Sequence, residues 1–197
     1  MPSQLEIAGF ITGNLGVFLT IKRSPFCWPV SALNVVLYGF IFQEAKLYAD
    51  MGLQGIFFAF SIYGWHAWTK GAKNYAPDAS PLKVQKTTKK ELLTGLLIMF
   101  PLSLLIGTVL TLQTDAEVPY IDSMLASLSI FAQILQTRKR LENWYFWILI
   151  DAVYIWIYAS KDLYLSAMLY AIFLALAIQG AYEWRKVLAL PTKHFSK

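Results

Sequence analysis

The sequence contains an internal repeat. Residues 19–70 align without a gap with residues 135–186. Identical residues recur at equivalent positions of the two copies: Trp28 and Trp144, Tyr38 and Tyr154, Leu47 and Leu163, Tyr48 and Tyr164, Gly64 and Gly180, and Trp68 and Trp184. Repeats of this kind in an apolar chain are typical of membrane proteins built from two related helical units, with a solute site between them.

Composition favours a membrane protein over a soluble domain. Of the 197 residues, 57% are hydrophobic and only 15% are charged, whereas a soluble domain carries roughly 25% charged residues. The surplus apolar residues form long blocks, which leaves little polar surface to cover a globule. The single cysteine, Cys27, excludes an internal disulfide framework and is interpreted as a buried or interfacial thiol.

Seven apolar blocks approach the length that crosses a bilayer, about 20 residues with a range of about 17–25. They occupy residues 4–21, 28–43, 51–69, 92–112, 121–137, 144–160 and 163–184. The first residues lack the positively charged start of a cleavable signal peptide, so the first block is expected to remain as a helix. The sequence therefore predicts an all-α integral membrane protein with seven transmembrane helices.

The basic residues separate between the two sides of such a seven-helix chain. Only Lys46 and Lys161, two of the 17 Lys and Arg residues, fall on the side of the N-terminus. Because cytoplasmic loops carry an excess of Lys and Arg, the other side is predicted to be cytoplasmic, with the N-terminus outside and the C-terminus inside. The basic pI near 9.2 then belongs to loops near lipid head groups, and no nucleic-acid partner is expected.

The domain organisation follows from the repeat. Residues 1–69 form a first three-helix unit and residues 113–186 a second, with a cytoplasmic tail at 187–197. Residues 70–112 hold a basic cytoplasmic loop, interpreted as a flexible linker, and a fourth helix with a kink expected at Pro101. Since this fourth helix restores the chain direction, the two units should be parallel in a 3+1+3 arrangement, with their symmetry axis along the membrane normal.

Asp151 is the most unusual polar residue of the predicted helices. It lies near the middle of the sixth helix, where an aspartate costs roughly 2.5–3.5 kcal/mol on insertion scales. Such a residue faces a bundle interior or a wet cavity. It is interpreted either as a structural hydrogen-bonding group or as part of a site for a cationic or hydroxyl-bearing solute, and the absence of an intramembrane Lys or Arg favours the site.

Helical spacing supplies neighbours for Asp151. Asn143 and Trp147 precede it at intervals of four and share its helix face. Polar and aromatic stripes on the other helices complete the candidate cavity: Ser31, Asn34 and Tyr38 on the second helix, Gln54, Phe58, Ser61 and Trp65 on the third, Gln133 on the fifth and Gln179 on the seventh. Amides, one carboxylate and aromatic faces suit a flat, partly polar, positively charged ring.

The tryptophans divide into two groups by the repeat. Trp28, Trp68, Trp144 and Trp184 are matched between the copies and fall at cytoplasmic helix ends, so they are interpreted as interfacial anchors. Trp65 and Trp147 are unmatched and lie deeper, which makes them better candidates for binding an asymmetric ligand.

Enzymatic function is the competing class. Metal-dependent phosphate or lipid chemistry needs clustered carboxylates or a His/Cys set, and neither His66 nor His194 has a carboxylate placed by sequence to act with it. No phosphate-binding Gly-rich loop is present, so direct ATP coupling is not expected. The sequence predicts a non-enzyme without metal or cofactor. A non-transporting subunit would not need Asp151, and coupling to a proton at Asp151 stays open beside passive transport.

Three segments carry a resemblance to a known family. NVVLYGFIFQEAKLYADMGLQ at 34–54, YGWHAW at 63–68 and TRKRLENWYFWILIDAVYIWIY at 137–158 resemble the PnuC family of bacterial vitamin transporters, and the similarity covers nearly the whole chain. The family implies a SWEET-like fold, a homotrimer in the bacterial inner membrane, and uptake by facilitated diffusion followed by trapping of the solute by a cytosolic kinase.

The resemblance also implies site residues and a choice of substrates. The positions that match the family motifs or join the candidate cavity are Asn34, Gln54, Ser61, Tyr63, Trp65, Trp68, Asn143, Trp144, Trp147 and Asp151. Ser61 and Asp151 stand where some members carry Asn. Nicotinamide riboside is the expected substrate and thiamine the alternative, since both contain a cationic ring; other members carry riboflavin. In this hypothesis Asn34, Gln54 and Asp151 bind the polar groups of the solute.

Overall fold

The computed structural model describes residues 4–44, 48–70, 82–113, 118–160, 162 and 164–189, with the backbone alone at 48–50 and 165. Seven α-helices are present in these residues: α1 (Gln4–Ile21), α2 (Cys27–Glu44), α3 (Tyr48–Thr69), α4 (Lys89–Gln113), α5 (Pro119–Thr137), α6 (Asn143–Ser160) and α7 (Tyr164–Ala189). The predicted all-α fold is confirmed, and each predicted span coincides with one helix. α7 continues past the predicted end at residue 184.

Some sequence-based predictions fall outside the described residues. These are the first part of the loop before α4, at residues 71–81, the end of the tail at 190–197, and the side chains of Lys46, Lys73, Lys161, Lys193, His194 and Lys197.

The helices of each unit pack in chain order. α1 packs on α2 and α2 on α3, while α5 packs on α6 and α6 on α7. The two units contact each other through α1 with α7 and through α3 with α5, and α4 packs on α5. Because α1 corresponds to α5 and α3 to α7 in the repeat, the two contacts between the units are equivalent. This packing is compatible with two parallel three-helix units joined by α4.

The outer surface of the bundle is apolar. Exposed side chains include Leu97 at 64%, Leu105 at 63% and Trp156 at 63%, as expected where helices face lipid rather than water. By length and hydropathy alone, Gln4–Ile21, Lys89–Gln113 and Ser166–Ala189 qualify as membrane-crossing helices. α5 carries its polar residues inward, because Ser123, Ser127, Ser129, Gln133 and Gln136 are all buried in the bundle, and this lowers its mean hydropathy.

The two units share a turn at one end of the bundle. At the end of α1, the N–H groups of Arg23 and Ser24 donate to carbonyls of the preceding turn at 2.9 and 3.0 Å. At the end of α5, the equivalent residues Lys139 and Arg140 donate at 2.9 and 2.9 Å. Arg23 and Lys139 adopt φ values of 58° and 49°, the left-handed conformation that a Schellman motif requires. This end, which also holds the linker before α4, is called the basic end.

The part of the linker nearest α4 is ordered. Residues 82–88, called the linker segment, run along the α5–α6 turn. The N–H of Gln85 donates to the carbonyl of Lys139 at 3.1 Å, and the N–H of Leu141 donates to the carbonyl of Gln85 at 2.8 Å. Val84 is 7% exposed and belongs to a buried apolar cluster at the basic end, and Leu82 packs against this cluster. The prediction of a flexible linker is wrong for residues 82–88, because two hydrogen bonds of the parallel-strand type and the buried Val84 side chain hold this backbone on the α5–α6 turn.

Candidate solute-binding site

Asp151 lies inside the bundle. Its position on α6 is 5% exposed, next to the buried Ile150. Among the described residues its carboxylate has no hydrogen-bond or ion-pair partner. A buried carboxylate without a partner is costly, and a residue kept in that condition is a candidate for contact with a ligand.

Three tyrosines form a cluster beside Asp151. Tyr154 and Tyr158 follow it on the same face of α6, and their rings stack 5.8 Å apart. Tyr170 on α7 lies 4.6 Å from the ring of Tyr154 and 5.3 Å from that of Tyr158. Tyr154 follows Asp151 by three residues, so it lies beside the carboxylate on the same face of α6. The tyrosine cluster, defined as Tyr154, Tyr158 and Tyr170, therefore presents aromatic faces and hydroxyl groups next to a carboxylate.

The equivalent place in the first unit lacks this chemistry. Tyr38 and Phe42 repeat the ring pair of α6 at the same 5.8 Å separation. By the alignment of residues 19–70 with 135–186, however, Val35 replaces Asp151 and Gln54 replaces Tyr170. At these equivalent positions the carboxylate and the third ring are present in the second unit and absent from the first, an asymmetry that suits an asymmetric solute.

Asn34 on α2 is held in place by hydrogen bonds to α1. Its amide nitrogen donates to the carbonyl of Gly9 at 2.7 Å and to the hydroxyl of Thr12 at 3.0 Å. A β-carbon on Gly13 would lie 3.3 Å from the Asn34 amide nitrogen and 3.6 Å from the ring of Phe173. Both donors of Asn34 are thus occupied by α1, and its carbonyl oxygen is the group left to meet a solute.

Aromatic contacts extend from Phe173 to the tyrosine cluster. The ring of Phe173 on α7 lies 6.0 Å from that of Tyr170. Gly13 on α1 lies between the Asn34 amide and the Phe173 ring. Asn34 and the tyrosine cluster are therefore both found near the contact between α1 and α7 of the two units.

Two predicted residues of α6 lie closer to the basic end. The indole N–H of Trp147 donates to the side-chain oxygen of Gln136 on α5 at 3.3 Å. Asn143 is fully buried and its amide donates to the carbonyl of Arg140 at 2.5 Å. Its side-chain oxygen has no hydrogen-bond partner in the part of the chain that the structure describes. Asp151 follows Asn143 by eight residues, about 12 Å along the helix axis. Both side chains share a helix face with Asp151.

The predicted residues of α3 are spread over its length and circumference. Ser61 is buried and its hydroxyl donates to the carbonyl of Phe57 at 2.9 Å. Gln54 is half-buried. Tyr63 is 56% exposed on the outside of the helix. Trp65 is half-buried, with its ring 5.9 Å from that of Phe26. Gln179, on α7, is exposed.

The four repeat-matched tryptophans form a compact group at the basic end, called the tryptophan tetrad (Trp28, Trp68, Trp144 and Trp184). Each is at most 2% exposed. Trp28 meets Trp68 edge to face at 5.4 Å, Trp144 meets Trp184 in the same way at 5.5 Å, and Trp68 meets Trp184 at 6.3 Å. Their interpretation as lipid-interface anchors is therefore wrong. Gly64 and Gly180 allow the indoles to pack flat against α3 and α7 inside the protein.

The tetrad also fastens the two units together. The indole N–H of Trp68 on α3 donates to the carbonyl of Thr137 on α5 at 3.0 Å. The equivalent N–H of Trp184 on α7 donates to the carbonyls of Thr20 and Ile21 on α1, both at 3.3 Å. Trp68 therefore uses its only polar group within the protein, and two sets of indole hydrogen bonds join the units at the basic end.

Surface grooves lie elsewhere. One of about 460 Å³ follows the outer face of α7 near Met168 and Ile172, and one of about 420 Å³ lies between α4 and α5 near Phe100 and Met124. Neither is lined by Asp151. Within the residues that the structure describes, no group of three or more His, Cys, Asp or Glu side chains is arranged to hold a metal ion.

The bundle has an apolar outer surface and consists of two helical repeats in contact. It also holds a buried carboxylate beside the tyrosine cluster. These are features of a multi-pass membrane transporter. Residues 3–186 match the family model described as nicotinamide mononucleotide transporter. The chain belongs to this family, which confirms the resemblance to PnuC transporters.

Individual relatives agree. The chain is 31% identical to the nicotinamide riboside transporter PnuC of Escherichia coli K12, over 92% of this chain and 85% of the relative. It is 25% identical to the riboflavin/roseoflavin transporter RibM of Streptomyces davaonensis, over 91% and 83%. A crystal structure of the vitamin B3 transporter PnuC superposes with a TM-score of 0.75 at 21% identity, over 93% of this chain and 81% of that one, and shows the same fold. The matched proteins are transporters, which confirms the interpretation as a non-enzyme.

The tyrosine cluster was missed by sequence reasoning. Its signal was present in the spacing of Asp151, Tyr154 and Tyr158, which places two aromatic rings on the helix face of the carboxylate. Tyr170 has no such local signal, because its place beside α6 depends on how α7 packs.

Proposed function

We propose that the protein takes up nicotinamide riboside across the bacterial inner membrane by uniport. The observation that carries the proposal is the partnerless buried carboxylate of Asp151 beside the tyrosine cluster. The pyridinium ring of nicotinamide riboside is flat and positively charged, and its ribose carries hydroxyl groups. Both properties match the groups that the second unit offers.

Charge and stacking act together at this site. A carboxylate inside a low-dielectric bundle attracts a cation more strongly than it would in water. Aromatic faces attract a desolvated cation by about 2 kcal/mol or more. In the proposed complex the ring lies against the tyrosine cluster near Asp151, and the ribose hydroxyl groups meet the carbonyl oxygen of Asn34 and the amide of Gln54. Trp147 and Trp65 border the path towards the basic end.

Thiamine is the second candidate, since its thiazolium ring is also a cation and meets the same carboxylate. Riboflavin is disfavoured although a relative is named for it, because the isoalloxazine ring is neutral and gains nothing from Asp151. The E. coli relative, at 31% identity, is a nicotinamide riboside transporter, and this supports nicotinamide riboside over thiamine.

The direction and energetics of transport complete the proposal. The basic end is cytoplasmic by the positive-inside rule, with the N-terminus outside. The solute enters from the outside between the units, and rocking of the units then opens the basic end. A cytosolic kinase phosphorylates the solute and prevents its return. The protein acts as a homotrimer and uses no cofactor.

Equilibrium binding to the detergent-purified protein tests the substrate. Tryptophan fluorescence is followed while nicotinamide riboside, thiamine, riboflavin and neutral nicotinamide are titrated in parallel. Saturable quenching by nicotinamide riboside, with weaker binding of nicotinamide, is the expected result. Tighter binding of riboflavin than of either cation would reject the role given to Asp151.

A substitution of the carboxylate provides the second arm. Asp151→Asn keeps the size of the side chain and removes its charge, so affinity for nicotinamide riboside should fall by about tenfold or more, equivalent to 1.4 kcal/mol. The matched control is Glu183→Gln on α7, which removes a charge from a partly exposed side chain paired with Lys186 and should leave affinity unchanged. Equal affinities of the two variants would contradict the proposal.

A further inference from the structure

The linker segment covers the tryptophan tetrad from the basic end. Val84 is buried in the same apolar cluster as Trp28, Trp68, Trp144 and Trp184, and Leu82 packs against that cluster. The ammonium group of Lys139, on the turn that pairs with the linker segment, lies 4.4 Å from the centre of the Trp68 ring. A solute leaving through the basic end would meet this layer after the tetrad.

Side chains of the α5–α6 turn hold the linker segment in place. The carboxylate of Glu142 accepts hydrogen bonds from the N–H of Thr87 at 2.6 Å and from its hydroxyl at 2.5 Å. The guanidinium of Arg140 donates to the side-chain oxygen of Gln85 at 2.6 Å and to the carboxylate of Glu91 at 2.8 Å. Hydrogen bonds to charged groups are the stronger kind, so the linker segment is fixed at both of its edges.

The start of α4 continues the same network. The hydroxyl of Thr88 accepts the N–H of Glu91 at 3.1 Å, and the Glu91 carboxylate accepts the N–H of Thr88 at 3.0 Å, which forms a capping box. Because Glu91 also binds Arg140, the α5–α6 turn, the linker segment and the first turn of α4 form one hydrogen-bonded unit.

The α1–α2 turn, although it has the same backbone, cannot hold such a segment. Its residues equivalent to Leu141 and Glu142 are Pro25 and Phe26. Pro25 has no N–H to take the role of Leu141, which donates to Gln85. Phe26 has no carboxylate to take the role of Glu142. The two copies thus differ at the positions that bind the linker segment.

We propose that the linker segment is a lock on the basic end, fastened to the second unit alone. While Glu142, Leu141 and Arg140 hold it, the tryptophan tetrad stays covered and the two units stay closed. Release of the linker segment must precede passage of a solute through this end. The lock rests on the proposed transport function in the sense that its effect on uptake presupposes a transported solute.

Cys27 offers a reporter of tetrad opening that needs no solute. It is the only cysteine of the chain, it is fully buried, and it belongs to the cluster that the linker segment covers. The experiment measures the rate at which N-ethylmaleimide alkylates Cys27 in the purified full-length protein, followed by intact mass.

Glu142→Ala and Leu141→Pro release the linker segment by separate routes. The first removes the acceptor of Thr87, and the second removes the N–H bound to Gln85 while copying the residue that the other turn carries. Each should accelerate alkylation by about tenfold or more, as expected when a closed state loses charge-assisted or buried backbone hydrogen bonds. The matched control is Lys86→Ala, whose exposed side chain lies on the same segment. Equal rates in all variants would overturn the lock.

A cross-link tests the same idea from the opposite direction. Thr87→Cys and Glu142→Cys are combined in a Cys27→Ser background and joined by a reducible bis-methanethiosulfonate reagent. Cross-linking should abolish uptake of nicotinamide riboside into vesicles while binding persists, and reduction should restore uptake. The single variant Thr87→Cys treated with the same reagent is the control. Uptake at the original rate through a cross-linked protein would overturn the proposal.

The alkylation and cross-linking experiments, taken with the binding titration, distinguish a failure of the lock proposal from a failure of the substrate proposal. If the purified protein binds none of the vitamins, the substrate proposal fails, and the alkylation rates still decide the lock. If vitamins bind and are carried while neither arm responds, the lock fails and the substrate proposal stands.

Discussion

Gly180 and the Trp144 indole are in direct contact: a β-carbon on Gly180 would lie 2.6 Å from the ring. The equivalent pair in the first unit, Gly64 and Trp28, is packed in the same way. No real β-carbon tolerates such a distance, and both indoles are fully enclosed. Gly64→Ala and Gly180→Ala should therefore destabilise the protein by about 1–3 kcal/mol, the usual cost of overpacking.

Thermal unfolding of the detergent-purified variants measures this effect. The control is Gly55→Ala in the same helix as Gly64, because a β-carbon there meets nothing within 4 Å. This control should be neutral or stabilising, since alanine favours a helix over glycine by up to about 1 kcal/mol. A melting temperature for Gly64→Ala as high as that of Gly55→Ala would contradict the packing of the tetrad.

The tetrad predicts unequal effects for two chemically identical substitutions. Trp68→Phe removes the hydrogen bond to the carbonyl of Thr137. The indole N–H of Trp28, in contrast, has no hydrogen-bond partner among the residues that the structure describes. Trp68→Phe should cost about 1 kcal/mol more than Trp28→Phe, the typical net value of a hydrogen bond. The melting temperatures of the two variants check the difference, and a lower value for Trp28→Phe would argue against fastening of the units by Trp68.

Tyr170 should contribute to ligand affinity through its ring. Tyr170→Ala removes the ring that joins Tyr154, Tyr158 and Phe173, so affinity for nicotinamide riboside should fall more than tenfold, in line with a contribution of about 2 kcal/mol. Tyr170→Phe keeps the aromatic face and should stay within a few-fold of the unmodified protein. Titration followed by tryptophan fluorescence measures both.

The control for this substitution lies on the same helix. Tyr182 is 59% exposed and contacts Lys186, and Tyr182→Ala should bind the vitamin normally. If Tyr170→Ala also binds the vitamin normally, the pyridinium ring of the vitamin does not lie against the tyrosine cluster.

The orientation of the chain can be tested with single cysteines in a Cys27→Ser background. Lys86→Cys lies in the linker segment at the basic end, and Ser160→Cys lies at the end of α6; both positions are exposed. An impermeant maleimide should label Ser160→Cys in intact bacterial cells and label Lys86→Cys only after permeabilisation, because Lys and Arg accumulate on the cytoplasmic side. The reverse pattern would invert the proposed direction of uptake.

Much of the fold could be predicted from the sequence. Long apolar blocks separated by charged turns are strong signals, and the predicted spans coincide with the helices that form. The burial of Asp151 was also predictable, because a carboxylate at the centre of an apolar helix has no favourable place in lipid. These features depend on the residues nearby in the sequence, so a single sequence is enough to predict them.

The errors concern residues whose surroundings come from distant parts of the chain. The tryptophans next to basic turns looked like interface residues, yet the recurrence of Gly64 and Gly180 with them was a sign of close packing. The linker segment looked polar, yet Leu82 and Val84 alternate with Lys83 and Gln85, the pattern of an extended strand with one apolar face. In both cases the surface that buries these residues is formed by a distant part of the chain, so the local sequence does not reveal it.

The fastening of the two units by Trp68 and Trp184 relies on backbone carbonyls as acceptors, at Thr137 on one side and at Thr20 and Ile21 on the other. A main-chain oxygen is supplied by any amino acid. Thr137 and Ile21, equivalent in the repeat, carry a hydroxyl side chain and an apolar one, and both accept through the main chain. The side chains at the ends of α1 and α5 can therefore differ between the units without loss of these hydrogen bonds. The indoles opposite them cannot be exchanged in the same way, because only their ring N–H supplies the donor.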